Sequence, residues 1–151
     1  MSDQALSDII NAMPTPPRYG PPLTLEQAKK VMNAAELEAQ KYGWPLVIAL
    51  VDSTGYLCML YKLDHAQLGS VQIAQVKAET ALRFRRPTAV FENALAQGGV
   101  GLRILATPGV ASLEGGLPLM MNGEVIGAIG VSGMHSSQDA LVARAGVAAL
   151  E

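Results

Sequence analysis

Two side chains in this sequence change charge near neutral pH, His65 and His135. His65 stands in "DHAQLG", between an apolar run that reads as a strand and a helix that begins near Ser70. Asp64 beside it can bias its protonation, and free amides at the helix start suit an anionic group. Acid–base chemistry on a small anion is therefore the first reading. His135 has the same address, after "VSG" and before Ser136. Two imidazoles at two strand-to-helix junctions would suit a metal or a haem iron if they converged. Two ligands without a third define no metal site, and none is expected. Glu114 precedes Gly115 and Gly116, where an acid can face a pocket while glycines admit a ligand. It is the third candidate for proton transfer.

Arg83, Arg85 and Arg86 form the densest positive charge. At a helix C-terminus they complement the dipole, and Glu79 is spaced to pair with Arg83. Their other reading is a carboxylate or propionate contact, with Arg85 the foremost candidate. Met120, Met121 and Met134 offer soft contacts to haem, although methionine is more often core filler. No Walker loop, GxSxG, HExxH or CxxC occurs, so hydrolase, nucleotide-binding and structural-zinc readings lack their usual support. "GAIGVSG" does not rescue a dinucleotide site, because its glycines fall within and after a strand instead of opening a helix.

The elements that must position these residues follow from pattern. Thr24 and Gln27 have capping-box spacing, and Leu25, Ala28, Met32, Ala35, Ala39 and Tyr42 recur on one helical face until Gly43. "PLVIALVD" and "YLCMLYKL" read as strands joined at Ser-Thr-Gly. Ser70 is placed to cap a helix running to Phe84, with Val71, Ala74, Ala78 and Ala81 on one side. Pro87 stops it, and Thr88 is placed to cap a short successor. The glycine-rich stretch from Gly98 to Gly116 carries some extended character around Leu102 to Leu105. "LPLMM" and "EVIGAIGVSG" are strands around Asn122-Gly123, a strong type I′ hairpin signal. Ser136 and Asp139 offer a cap for a last helix over Ala140 to Leu150. Hairpin-joined strands predict an α+β fold, an antiparallel sheet of four or five strands with helices packed on it.

With 151 residues the chain suffices for one domain. Residues 1–22 read as an arm, because Met13 to Pro22 holds five of the nine prolines. Proline withdraws amide donors, so Met13 to Pro22 is neither helix nor central strand; it follows "ALSDIINAM", a candidate short helix with its own apolar residues, and invites a role across a neighbouring subunit. A formal charge of −2 argues against nucleic acid as partner. Cys58 stands alone and excludes an intrachain disulfide. The acidic start without an apolar run is unlike a secretory signal, and no window reaches the roughly 20 apolar residues of a membrane span. A cytoplasmic protein without membrane attachment is the expectation.

Pro45 to Thr88 and Glu114 to Gly146 resemble the two signature blocks of the GlcG/HbpS family, the haem-degrading domain family related to the C-terminal domain of PduO-type proteins. The similarity extends from Leu23 onward. It implies a profilin-like fold and assembly into dimers or larger homo-oligomers. Asp52, Gly55, Asp64, Ala66, Ser70, Lys77, Ala78, Thr80 and Ala81 match the first block. Gly115, Gly116, Pro118, Gly123, Gly127, Gly130, Ser132, Gly133, Gln138 and Asp139 match the second. His65 departs from the pattern, standing where relatives usually carry glycine. The function expected first is a cofactor-independent enzyme of isomerase, lyase or hydratase type, acting on a small anionic or carbonyl-bearing catabolic intermediate. His65, Glu114 and His135 would be its acid–base groups. Ser70, Arg85, Gly115, Gly116 and Ser132 would bind the ligand. The resemblance implies haem binding or haem handling as the alternative, and a ligand-free oligomeric interaction protein is a third reading.

Overall fold

The structure, a computed structural model, describes residues 2–12 and 15–151. Helix α1 spans Asp3–Ala12, and α2 spans Leu25–Tyr42. Strands β1 (Val47–Asp52) and β2 (Leu57–Lys62) follow, then α3 (Ser70–Phe84) and α4 (Ala89–Ala96). A 3₁₀ helix over Gly99–Ala106 leads to β3 (Gly116–Met121), β4 (Glu124–Ser132) and α5 (Ser136–Ala148). The four strands form one antiparallel sheet in the order β2-β1-β4-β3. This is the α+β sheet with flanking helices that the hairpin pattern predicts.

The two central strands are covered on both faces, which is why "VIALV" is continuously apolar instead of alternating. Ile48 and Leu50 of β1 pack with Ile129 and Val131 of β4 beneath α2 and α5, in a cluster that includes Val31, Met32 and Val142. On the other face, Val47, Ala49, Val51 and Ala128 meet the alanines of α3, Ala74, Ala78 and Ala81. Small residues on α3 let it ride close to the sheet. Gly130 completes that approach, since a Cβ there would land on the Ala74 carbonyl oxygen and lie 2.5 Å from the Ala78 nitrogen.

Local chemistry sets most boundaries as expected. The Thr24 hydroxyl accepts from Gln27 N–H at 3.1 Å, while the Gln27 side chain accepts from Thr24 N–H at 2.9 Å. Thr24→Ala should therefore lower stability by about 1 kcal/mol, measured as a shift in the urea midpoint. Gly43 ends α2 at φ 68°. Asn122 and Gly123 turn the β3–β4 hairpin at φ 52° and 77°. Leu25 and Tyr42, by contrast, stay exposed at the two ends of the apolar face.

Four local expectations are corrected. The stretch Leu102 to Leu105 belongs to the 3₁₀ helix and is not extended, because glycines at 98 and 99 with positive φ turn the chain into a coil. Gly69, not Ser70, occupies the cap position of α3, and Ser70 is its first residue. Thr88 precedes α4, but its hydroxyl accepts from Gly116 N–H at 2.9 Å and so ties α4 to β3 instead of capping a helix. The final helix begins at Ser136, whose hydroxyl donates to Glu92 at 2.9 Å, while Asp139 turns inward.

The described part of the Pro-rich arm lies on its own chain. Tyr19 makes a parallel bridge with Val125. Its hydroxyl donates to the carbonyls of Leu82 and Arg83 at 2.7 and 3.0 Å, among the last carbonyls of α3. Met13 and Pro14 of the arm lie outside the described residues.

Candidate functional site

The order of strands brings both histidine loops to one end of the sheet. Lys62, at the end of β2, and Ser132, at the end of β4, both pair with Val47. From there the two loops diverge. His65 lies at φ 70°, a left-handed conformation that favours glycine, and histidine tolerates it better than most residues. His65 lines an open cleft of about 720 Å³ with Glu36, Gln40, Trp44, Tyr61 and Lys62. His135 does not line it and sits at the cap of α5, where its N–H donates to the Gln138 side chain at 3.1 Å. Glu114 does not line it either, and approaches Arg144 at 3.8 Å. Of the three acid–base candidates, this cleft thus holds His65 alone.

The residues expected to bind the ligand are engaged with other parts of the protein. Ser70 and Ser132 are buried and bonded to each other at 3.1 Å, with Gln67 donating to Ser70 at 3.0 Å. Space beside Gly115 is taken by protein: a Cβ there would lie 2.9 Å from Lys77 Nζ and 2.7 Å from the Val131 oxygen. At Gly116 a Cβ would strike the Lys77 carbonyl and lie 2.6 Å from the Thr88 methyl. Arg85 is committed to the arm, donating to the Pro17 carbonyl at 3.0 Å and lying 5.3 Å from the Tyr19 ring.

Behind these glycines lies a polar contact that the sequence reading did not single out as an ion pair. Lys77 is 1% exposed, and its Nζ donates to Asp139 Oδ2 at 3.0 Å and to the Val131 carbonyl at 2.8 Å. Asp139 Oδ1 accepts from Met134 N–H at 2.9 Å. Burial pushes the Asp139 carboxyl above the ordinary carboxylate range, against the pull of Lys77 and of its hydrogen bonds. The pair joins α3, the end of β4 and the start of α5, and thereby fixes the floor from which the histidine loops depart.

A second cavity, of about 620 Å³, lies between the end of α3, α4 and the 3₁₀ helix. Its walls are apolar, with Phe84, Val90, Phe91, Val100, Ile104 and Val110 among them. The rings of Phe84 and Phe91 meet edge to face at 5.3 Å. Arg86 and Arg103 line it too. Arg86 Nε donates to the Phe84 carbonyl at 2.9 Å, which holds the guanidinium beside the wall. Among the described residues neither arginine has a carboxylate within ion-pair distance. Thr107 supplies the one uncharged side-chain hydroxyl among its lining residues. Apolar walls with two guanidiniums that have no carboxylate partner among the described residues suit a largely apolar molecule bearing carboxylates. The Arg83–Arg86 cluster was the available sequence signal. Arg103, remote in sequence, became legible only when the glycine-rich segment folded back.

Among the described residues, no group of three or more His, Cys, Asp or Glu is placed to hold a metal ion, and no helix is long and apolar enough to cross a membrane.

Comparison with known proteins matches residues 23–148 to the family model described as haem degrading protein HbpS-like. Protein GlcG of Escherichia coli strain K12 is 38% identical over 110 residues, covering 73% of this chain and 81% of GlcG. A crystal structure of HbpS superposes with a TM-score of 0.79 at 32% identity, covering 93% of this chain and 96% of the other. A crystal structure of a PduOC:heme complex superposes with a TM-score of 0.78 at 27% identity, covering 86% and 96%.

Proposed function

The chain belongs to the HbpS-like family, and from that premise we propose that it binds haem in the cavity walled by α4 and the 3₁₀ helix. The observation that carries this reading is an apolar cavity lined by two guanidiniums, Arg86 and Arg103, that have no carboxylate partner among the described residues. Phe84, Phe91, Val90 and Ile104 would cover the macrocycle and exclude water, while the arginines would pair with its two propionates. A haem there would supply a redox-active iron, tuned by ligation, polarity and access. The lining residues include no imidazole, thiolate or thioether, so the chain's contribution is shape and propionate pairing more than strong axial ligation. His65 is remote from this cavity: it precedes α3, whose length alone separates its ends by roughly 20 Å, and the cavity starts at Phe84.

Absorbance titration with haem tests the proposal. Wild type and His65→Ala should both give a saturable Soret band, and Arg86→Glu with Arg103→Glu should weaken binding by about tenfold or more, since one hydrogen bond to a charged group contributes about 1.5–3 kcal/mol. A flat wild-type titration would remove the proposal. Loss of the band in His65→Ala alone would move the haem to the other cleft.

A second reading keeps the cofactor-independent chemistry at the His65 cleft, because an imidazole and Lys62 line it together. His65 would transfer the proton and Lys62 would hold a small carboxylate or carbonyl compound. Nuclear magnetic resonance of the His65 ring, titrated with such compounds, decides it: an unmoved resonance across the set ends this reading.

A further inference from the structure

We infer that Gly101 is the spacer of the Arg86–Arg103 cavity: it lets the 3₁₀ helix rest on the backbone of α4, and so sets how the two guanidiniums stand and which carboxylates they span. Gly98, Gly99 and Gly109 in the same segment have φ of 68°, 58° and 73°, so the turns they make account for them. Gly101 is not among the glycines of positive φ, and glycine inside a helix is destabilising relative to alanine. Contact is what requires it. A Cβ at Gly101 would land on the Ala94 carbonyl oxygen and lie 2.7 Å from the Ala94 carbonyl carbon and 3.5 Å from the Leu95 nitrogen. These are backbone atoms of α4, so no rotamer change and no smaller residue at position 94 relieves the clash.

The contact lies in the cavity wall. Ala94 lines the cavity with Val90 and Phe91 of α4, and Gly101 lines it with Arg103 and Ile104 of the 3₁₀ helix. Neither helix has a buried residue, so their separation is set by this backbone contact and not by a shared core. Arg103 rides on the 3₁₀ helix two residues beyond Gly101, whereas Arg86 stands before α4. A methyl at position 101 forces the 3₁₀ helix off α4 and moves Arg103 relative to Arg86. A ligand gripped by two carboxylates feels that shift, and one gripped by a single carboxylate feels it less. This consequence for ligands rests on the proposed haem site, whereas the spacing itself does not.

The test is Gly101→Ala in the full chain, with two readouts. Amide hydrogen exchange without haem reads the spacing: exchange in residues 89–106 should be several-fold faster in the variant, with β1 and β4 unchanged. Identical exchange in wild type and variant would overturn the inference. Loss of protection in β1 and β4 as well would also overturn it, because the contact would then support the whole fold. Absorbance titration with haem and with its monomethyl ester, which keeps one free propionate, reads the span. Wild type should bind haem about tenfold more tightly than the ester, and in Gly101→Ala that preference should fall toward one. A preference unchanged in the variant would show that Gly101 does not govern the span, whatever it does to exchange. If exchange responds as expected while neither compound gives a Soret band with wild type, Gly101 stands as the spacer of the two walls and the haem reading falls.

Discussion

Asp139→Asn is expected to lower the free energy of unfolding by about 3–5 kcal/mol, because it strands the Lys77 ammonium in the interior. The amide still accepts from Met134 N–H, so the turn into α5 survives, but Lys77 keeps only the neutral Val131 carbonyl as acceptor. That loss is the cost of an uncompensated buried charge and not the net worth of the pair, whose attraction is offset by desolvation of both ions. Burial raises the Asp139 carboxyl above its ordinary range, so the folded state binds that proton more tightly than the unfolded chain. The group's contribution is therefore greatest below the ordinary carboxylate pKa and declines as pH rises through the raised one. Asp139→Asn should remove that part of the pH slope. Replacing both partners with apolar residues, Lys77→Met and Asp139→Leu, should recover most of the loss. Urea denaturation at several pH values measures all of this. A single variant within about 1 kcal/mol of wild type would show that water or another acceptor reaches Lys77, against the burial described.

Gly130→Ala should cost about 3 kcal/mol or more, at the upper end of overpacking effects. The added methyl meets backbone of α3, at Ala74 and Ala78, and backbone cannot swing aside as a long side chain can. Relief requires α3 to lift from β4, which opens the packing of Val51, Ala78 and Ala128. Gly69→Ala is the control, since nothing lies within 4 Å of a Cβ there and its φ is not positive. That substitution should change the thermal midpoint little, and equal losses at the two sites would contradict the close approach of α3.

The elements whose chemistry is local were legible in the sequence. Thr24 with Gln27, Gly43, Asn122 with Gly123, and Pro87 each act through a few neighbouring backbone groups, and their pattern survives folding. The residues misplaced in the reading are those that exchange a local partner for a distant one. Ser70 bonds Ser132, Thr88 bonds Gly116, and Ser136 bonds Glu92, though each has the side chain of a good cap. Asp139 follows the same rule, reaching Lys77 across 62 residues. The candidate site divides along the same line. His65 is conspicuous as a residue type, whereas a cavity made of phenylalanine, valine and arginine has no distinctive spacing. Its arginines, 86 and 103, converge only through the path of the chain between them.

That path has a bearing on how the scaffold diversifies. No residue within α4 or the 3₁₀ helix is buried, and the segment is fastened to the rest by Thr88 to Gly116, by Glu92 to Ser136, and by Thr80, which accepts from Ala111 N–H at 3.0 Å. Substitutions between these fastenings can rewrite the cavity while leaving the sheet and its helices intact. Selection can therefore act on ligand preference and on foldability as nearly separate traits, so one framework can pass through many chemistries without being rebuilt.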